Sequence, residues 1–113
     1  MARLIVNAIA EDTIAAPGNA NNSYIVVSVT DVNGVAVTGL TAANFAVGSP
    51  IVGPGGSTSH IVSVGPGGSV PGVYIVNIGP LAGQTWKPGV YIWSVAVTSG
   101  ANRGQMLCNT VMD

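Results

Sequence analysis

Charge is what this chain has least of. Lys, Arg, Asp and Glu supply 6% of its 113 residues, where about a quarter is usual for a soluble domain. The charged residues are Arg3, Glu11, Asp12, Asp31, Lys87, Arg103 and Asp113, for a net charge of −1. Nucleic-acid affinity is carried by clustered Lys and Arg, so three scattered basic residues exclude a phosphate-binding surface. A single cysteine, Cys108, leaves no internal disulfide to form. No apolar run approaches the ~20 residues that cross a bilayer as a helix, and no membrane span is expected. Disorder is excluded as well, since it needs low hydrophobicity with high net charge, and 48% of the residues are hydrophobic.

Helix signals are also missing. Sixteen glycines and seven prolines are spread through the chain, so hardly any window of helix length escapes a breaker, and no apolar stripe has helical period. What is present is period-two alternation between turn clusters. It predicts strands over 4–10, 24–30, 35–37, 44–47, 60–64, 73–78, 90–98 and 105–112. Seven or eight short antiparallel strands at this spacing indicate a β-sandwich or small barrel. The length fits one domain over 1–113, large enough for a core without disulfide or metal. The opening MARLIVNAIAEDT runs into Glu11 and Asp12 and reads as a first strand rather than a signal peptide. Localisation therefore stays open, with virion or cell surface in view.

A phrase occurs twice, PGVYIVNI from Pro71 and PGVYIWSV from Pro88. Each copy releases the chain from a turn into a strand. Successive strand residues face opposite sides, which puts Tyr91, Trp93, Val95 and Val97 on one face and Val90, Ile92, Ser94 and Ala96 on the other. Tyr74, Val76 and Ile78 align likewise. The aromatic-bearing faces are the expected core, joined by Ile25, Val27, Val29, Phe45, Val47, Val62 and Val64. A second repeat, VGPGGS at 52–57 and 64–69, suits turns. It lacks the following helix N-terminus or Lys-Ser/Thr pair of a phosphate loop.

The segment VTDVNGVAVTGL supplies a strong hairpin signal of its own: Asp31 can bond backbone N–H groups ahead of it, and Asn33-Gly34 tolerates positive φ. With Val29, Asp31, Gly34, Val37 and Gly39 in place, it resembles the V-x-D-x-x-G-x-x-V-x-G pattern of bacterial immunoglobulin-like domains of the invasin and intimin kind. Phe45 and the glycine-then-tyrosine entries Gly72-x-Tyr74 and Gly89-x-Tyr91 extend the likeness over about two-thirds of the chain. The resemblance implies an immunoglobulin-like β-sandwich and a role as stalk, spacer or tip module in adhesins, or as an appendage on phage structural proteins.

Groups for chemistry are few. General acid–base work needs titratable groups converging in a pocket. Adjacent Glu11 and Asp12 face opposite ways on a strand, and with Asn19, Asn21 and Asn22 they lack calcium-loop spacing. His60 reads as a rim imidazole and Cys108 as a half-buried structural thiol. Ser57, Thr58 and Ser59 beside His60 lack a GxSxG elbow. The sequon Asn21 to Ser23 reads as coincidental without a secretory signal. No catalytic residue, cofactor or metal is expected.

The charge deficit is itself the main clue. Strands that carry few Lys gatekeepers leave edges and apolar faces open to pairing. The expected function is a non-catalytic structural or interaction module, self-associating or embedded in a larger assembly such as a fibre, surface layer or virion decoration. Val90, Ile92, Met106 and Met112 are the candidate contacts. In the last strand Met106, Cys108, Thr110 and Met112 share one face, and Leu107 and Val111 the other. The alternative is a carbohydrate- or protein-binding module that uses loops at one end, with Trp86 in GQTWKPG as the candidate ligand contact.

Overall fold

A computed structural model describes residues 3–11 and 21–112. Seven strands form: β1 Ile5–Ala10, β2 Ser23–Thr30, β3 Phe45–Ile51, β4 Ser59–Pro66, β5 Val73–Pro80, β6 Gly89–Ser99 and β7 Asn102–Met112. The one helical turn among the described residues is a 3₁₀ segment, Ala42–Asn44. The strands build two antiparallel sheets, one in the order β1-β2-β5-β4 and the other β3-β6-β7. The seven strands thus form an all-β sandwich, and their division, first-second-fifth-fourth against third-sixth-seventh, has the strand order of a constant-type immunoglobulin sandwich.

Alternation drives the packing. The inward residues of β2 (Ile25, Val27, Val29), β5 (Tyr74, Val76, Ile78) and β6 (Tyr91, Trp93, Val95, Val97) are all buried, as the pattern predicts. Each such aliphatic side chain contributes about 1.5–3 kcal/mol on leaving water. Phe45 packs edge-on against Tyr74, centroids 5.4 Å apart, near the end where β2 leaves for β3. At the opposite end Trp86, Tyr91 and Trp93 form the second aromatic cluster.

Two local expectations fail for stated reasons. Val62 is exposed rather than in the core. The β4–β5 register shifts between Ile61 and Ser63, and a residue at such a bulge drops out of the alternation. Segment 35–37 makes only an isolated bridge, Thr30 to Ala36. The chain there is held instead by Asp31, whose Oδ1 accepts the N–H groups of Asn33 (2.8 Å) and Val35 (3.0 Å). Tyr74 then anchors the return: its hydroxyl donates to the Val37 carbonyl at 2.6 Å and accepts the Leu40 N–H at 3.3 Å.

The sandwich closes differently along its two sides. On one, β1 crosses between sheets: Leu4 N–H bonds the Arg103 carbonyl at 2.9 Å before the strand turns to pair with β2. A Cβ on Gly104 would collide with the Leu4 carbonyl and approach a Val6 methyl, so glycine is what lets β1 lie this close to β7. On the other side Ser59 N–H donates to Ser49 Oγ at 3.0 Å, linking β4 to β3.

Candidate interaction surfaces

The residues with polar chemistry are spent inside the fold. Trp86, expected as an exposed loop contact, is 1% exposed. Its Nε1–H donates to the Asn21 carbonyl at 2.7 Å, and its ring meets Tyr91 and Trp93 edge-on at 5.4 and 6.2 Å. Burial of an indole with its N–H satisfied is its most favourable placement, so Trp86 corrects to a core residue with no face to offer a ligand. The Tyr91 hydroxyl donates to the Lys87 carbonyl and accepts the Lys87 N–H, both at 3.0 Å. This is the tyrosine corner of immunoglobulin-type sandwiches, formed at the start of the sixth strand. Trp93 Nε1–H donates to Ser59 Oγ at 3.1 Å, which takes Ser59 out of the Ser-Thr-Ser-His stretch as a reactive group.

His60 and Cys108 do not meet. The imidazole is exposed on β4 of the four-stranded sheet, while Cys108 is buried on β7, paired with Trp93. Burial pushes the Cys108 thiol up to about 11, away from the thiolate that nucleophilic chemistry needs. Glu11 Oε2 accepts the Tyr24 hydroxyl at 3.0 Å. That bond, with partial burial and the carboxylate charge adding to it, holds the Tyr24 phenol above its ordinary value. The Glu11 backbone carbonyl accepts from Ser23 and Thr110. Asp12 and Asn19 lie outside the described residues, and among those described no group of three or more His, Cys, Asp or Glu gathers to hold a metal.

The surfaces are where apolar groups remain. On the outer side of β3-β6-β7, Val90 (47% exposed) pairs with Val111 (45%), and half-buried Ile92 lies opposite exposed Ile51. Leu107, at 58% the most exposed large apolar side chain of this face, lies opposite Ser94. Of the expected contacts, Val90 and Ile92 therefore share one surface. Met112 is a correction: at 1% exposure it is core, because it has the inward parity of buried Cys108 and Thr110 on β7. Met106 is exposed, but it has the inward parity of Cys108 and emerges at the side where β1 meets β7. Leu107 and Val111 are the surface residues missed in their place.

The outer side of the other sheet is more mixed. An apolar row, Ile9–Val26–Ile75, crosses it, flanked by Asn7, Ser28 and Asn77, with an Asn77 Nδ2 to Ser63 Oγ bond of 3.0 Å. Beside Tyr74, the loops around Leu40 and Pro66 border a groove of about 300 Å³. The groove gathers no cluster of titratable groups, and the outer side of this sheet carries the Tyr24–Glu11 pair.

Two of the edge strands, β3 and β4, are blunted without charge. Edge strand β3 contains Pro50 and a register shift between Gly48 and Ile51; edge strand β4 contains its own bulge and ends at Pro66. Bulges and prolines spoil an edge as a pairing template as effectively as lysine does. Comparison of the chain with family models, curated proteins and solved structures finds no significant match.

Proposed function

We propose that this protein is a non-catalytic structural or interaction module that self-associates or sits in a larger assembly, such as a fibre, a surface layer or a virion decoration. The observation that carries the reading is the outer face of β3-β6-β7, where Val90, Ile92, Leu107, Val111 and Ile51 lie among Ser94, Gln105 and Asn109 and the only charge among the described residues is Arg103. Contiguous exposed apolar surface on a soluble domain marks a contact site. The likeness of the Val29–Gly39 pattern to invasin- and intimin-type domains favours the same class of role. The alternative, a carbohydrate- or protein-binding module using the loops at one end, loses Trp86 as its candidate contact, because that ring is buried. Sedimentation velocity across the micromolar range tests the proposal: the expected result is a mass that rises with concentration, and a monomer at every concentration in the range contradicts self-association.

A further inference from the structure

The fold pairs two basic residues that stand at opposite ends of the sequence, where their scatter suggests no anion site. Arg3, on the segment leading into β1, makes a parallel bridge with Arg103 at the start of β7. Neighbouring strands lie about 4.8 Å apart, less than the reach of an arginine side chain, so the two guanidinium groups can meet on one point. Both residues are exposed. Like charges directly across a strand pair repel, and this chain has only three Lys and Arg to place.

Nothing among the described residues offsets that repulsion. Of the described carboxylates, Glu11 lies beyond the far end of β1 and accepts from Tyr24. Asp31 spends its Oδ1 on the N–H groups of Asn33 and Val35. Neither arginine head makes an ion pair or a hydrogen bond to a described residue.

A hollow adjoins the pair. On the outer side of β6 and β7, Thr98 lies opposite Arg103 and Ala96 opposite Gln105. These four, with Val97 and Gly104 between them, line a pocket of about 350 Å³. Ala96 contributes only a methyl group, which leaves room above it, while Thr98 and Gln105 contribute a hydroxyl and an amide.

We infer that this corner binds a small oxyanion, a carboxylate or a phosphate, held jointly by Arg3 and Arg103. A guanidinium presents its N–H donors in a planar fork that matches the oxygens of either group, and such charge-assisted hydrogen bonds are stronger than neutral ones. One anion between two forks turns their mutual repulsion into attraction to a shared partner. The Thr98 hydroxyl and the Gln105 amide then supply neutral hydrogen bonds from the pocket wall. The pocket has the size of a small-molecule site. A polyanion would need basic residues along its path, and Lys87, the third of them, lies at the opposite end of β6 from Arg103. The site does not depend on self-association, so it stands or falls apart from the proposed assembly role.

The test titrates nitrogen-15-labelled protein with sodium succinate and, separately, with sodium phosphate at constant ionic strength. Arginine side-chain signals and the Thr98 and Gln105 amides are followed. The expected result is saturable shifts at these groups with at least one anion, weakened about tenfold or more in Arg3→Gln and in Arg103→Gln, and unchanged in Lys87→Gln, which removes the same charge elsewhere. Tighter binding of succinate assigns the site to carboxylates, and tighter binding of phosphate to phosphate groups. Thermal unfolding gives a second readout: in low-salt buffer without the anion, Arg3→Gln should melt no lower than the wild type, and the anion should raise the melting temperature of the wild type alone. Failure of both anions to saturate, equal weakening in Lys87→Gln, or weakening in only one arginine variant overturns the shared site. A lower melting temperature for Arg3→Gln without the anion overturns it as well, because Arg3 would then be satisfied within the chain.

Discussion

At the scale of single residues, the fold is held at its ends by aromatic side chains whose polar tips are used locally. Tyr91 closes its corner by accepting and donating at one residue, Lys87, four positions upstream. Removing the hydroxyl leaves a backbone N–H and carbonyl without that partner in a partly buried site, at a cost of about 1–3 kcal/mol. Tyr91→Phe should therefore unfold at lower urea concentration with an unchanged m-value, read from tryptophan fluorescence; an unshifted midpoint would show that solvent replaces the bond at no cost. Cys108 makes a different prediction. Its thiol ionises at about 11 in the folded chain against 9.0 for the free group, because burial disfavours the thiolate. Between those values the unfolded chain has released a proton that the folded chain keeps, so stability is full below about pH 9 and declines as pH rises toward 11. Cys108→Ala should flatten the pH dependence of the unfolding midpoint over that window, and a slope equal to the wild type's would assign the decline to other groups.

At the scale of elements, the decisive contact is β1 against β7. The first strand belongs to one sheet by its pairing with β2 and touches the other through the Leu4–Arg103 hydrogen bond. Gly104 makes the approach possible, since a Cβ there would fall within about 3 Å of Leu4 backbone and the Val6 side chain. Gly104→Val should cost about 1–3 kcal/mol by overpacking and release the start of β1, seen as lost hydrogen-exchange protection at the Leu4 amide. Retained protection at Leu4 would mean that β7 moves instead.

The strands themselves were legible in the residues: wherever alternation ran unbroken, as in β2, β5 and β6, the buried face followed from it. It failed at Val62, because a bulge is set by the partner strand and leaves no local mark in β4. The burial of Trp86 was hidden for a related reason, since its hydrogen-bond acceptor Asn21 lies 65 positions away. Met112 was within reach. The turn Gly100-Ala101, with Gly100 at φ 61°, fits a two-residue hairpin with glycine first, and counting back from it pairs Trp93 with Cys108 and Gly89 with Met112. That register puts Met112 inside and Leu107 and Val111 outside.

At the scale of the whole molecule, the low charge divides into two consequences. On β3 and β4, edge protection is handled by backbone shape, through Pro50, Pro66 and the two register shifts, whereas β7 runs unbroken along β6 and meets β1 only at Arg103. On the outer face of β3-β6-β7, valine, isoleucine and leucine meet solvent among the neutral polar residues Ser94, Thr98, Gln105 and Asn109. Assembly driven by such a face has a thermodynamic signature different from one driven by ion pairs. Burying apolar surface gives a negative heat-capacity change, whereas screening by salt weakens contacts between exposed charges. With Arg103 the lone charge on the face among the described residues, raising sodium chloride should leave the dissociation constant nearly unchanged, and sulfate should tighten association by strengthening apolar burial. Isothermal dilution calorimetry at several temperatures should give a dissociation enthalpy that increases with temperature. Dissociation by moderate sodium chloride would place the contact instead on the charged poles near Arg3, Asp31 and Lys87, and would move the interface off the sheet.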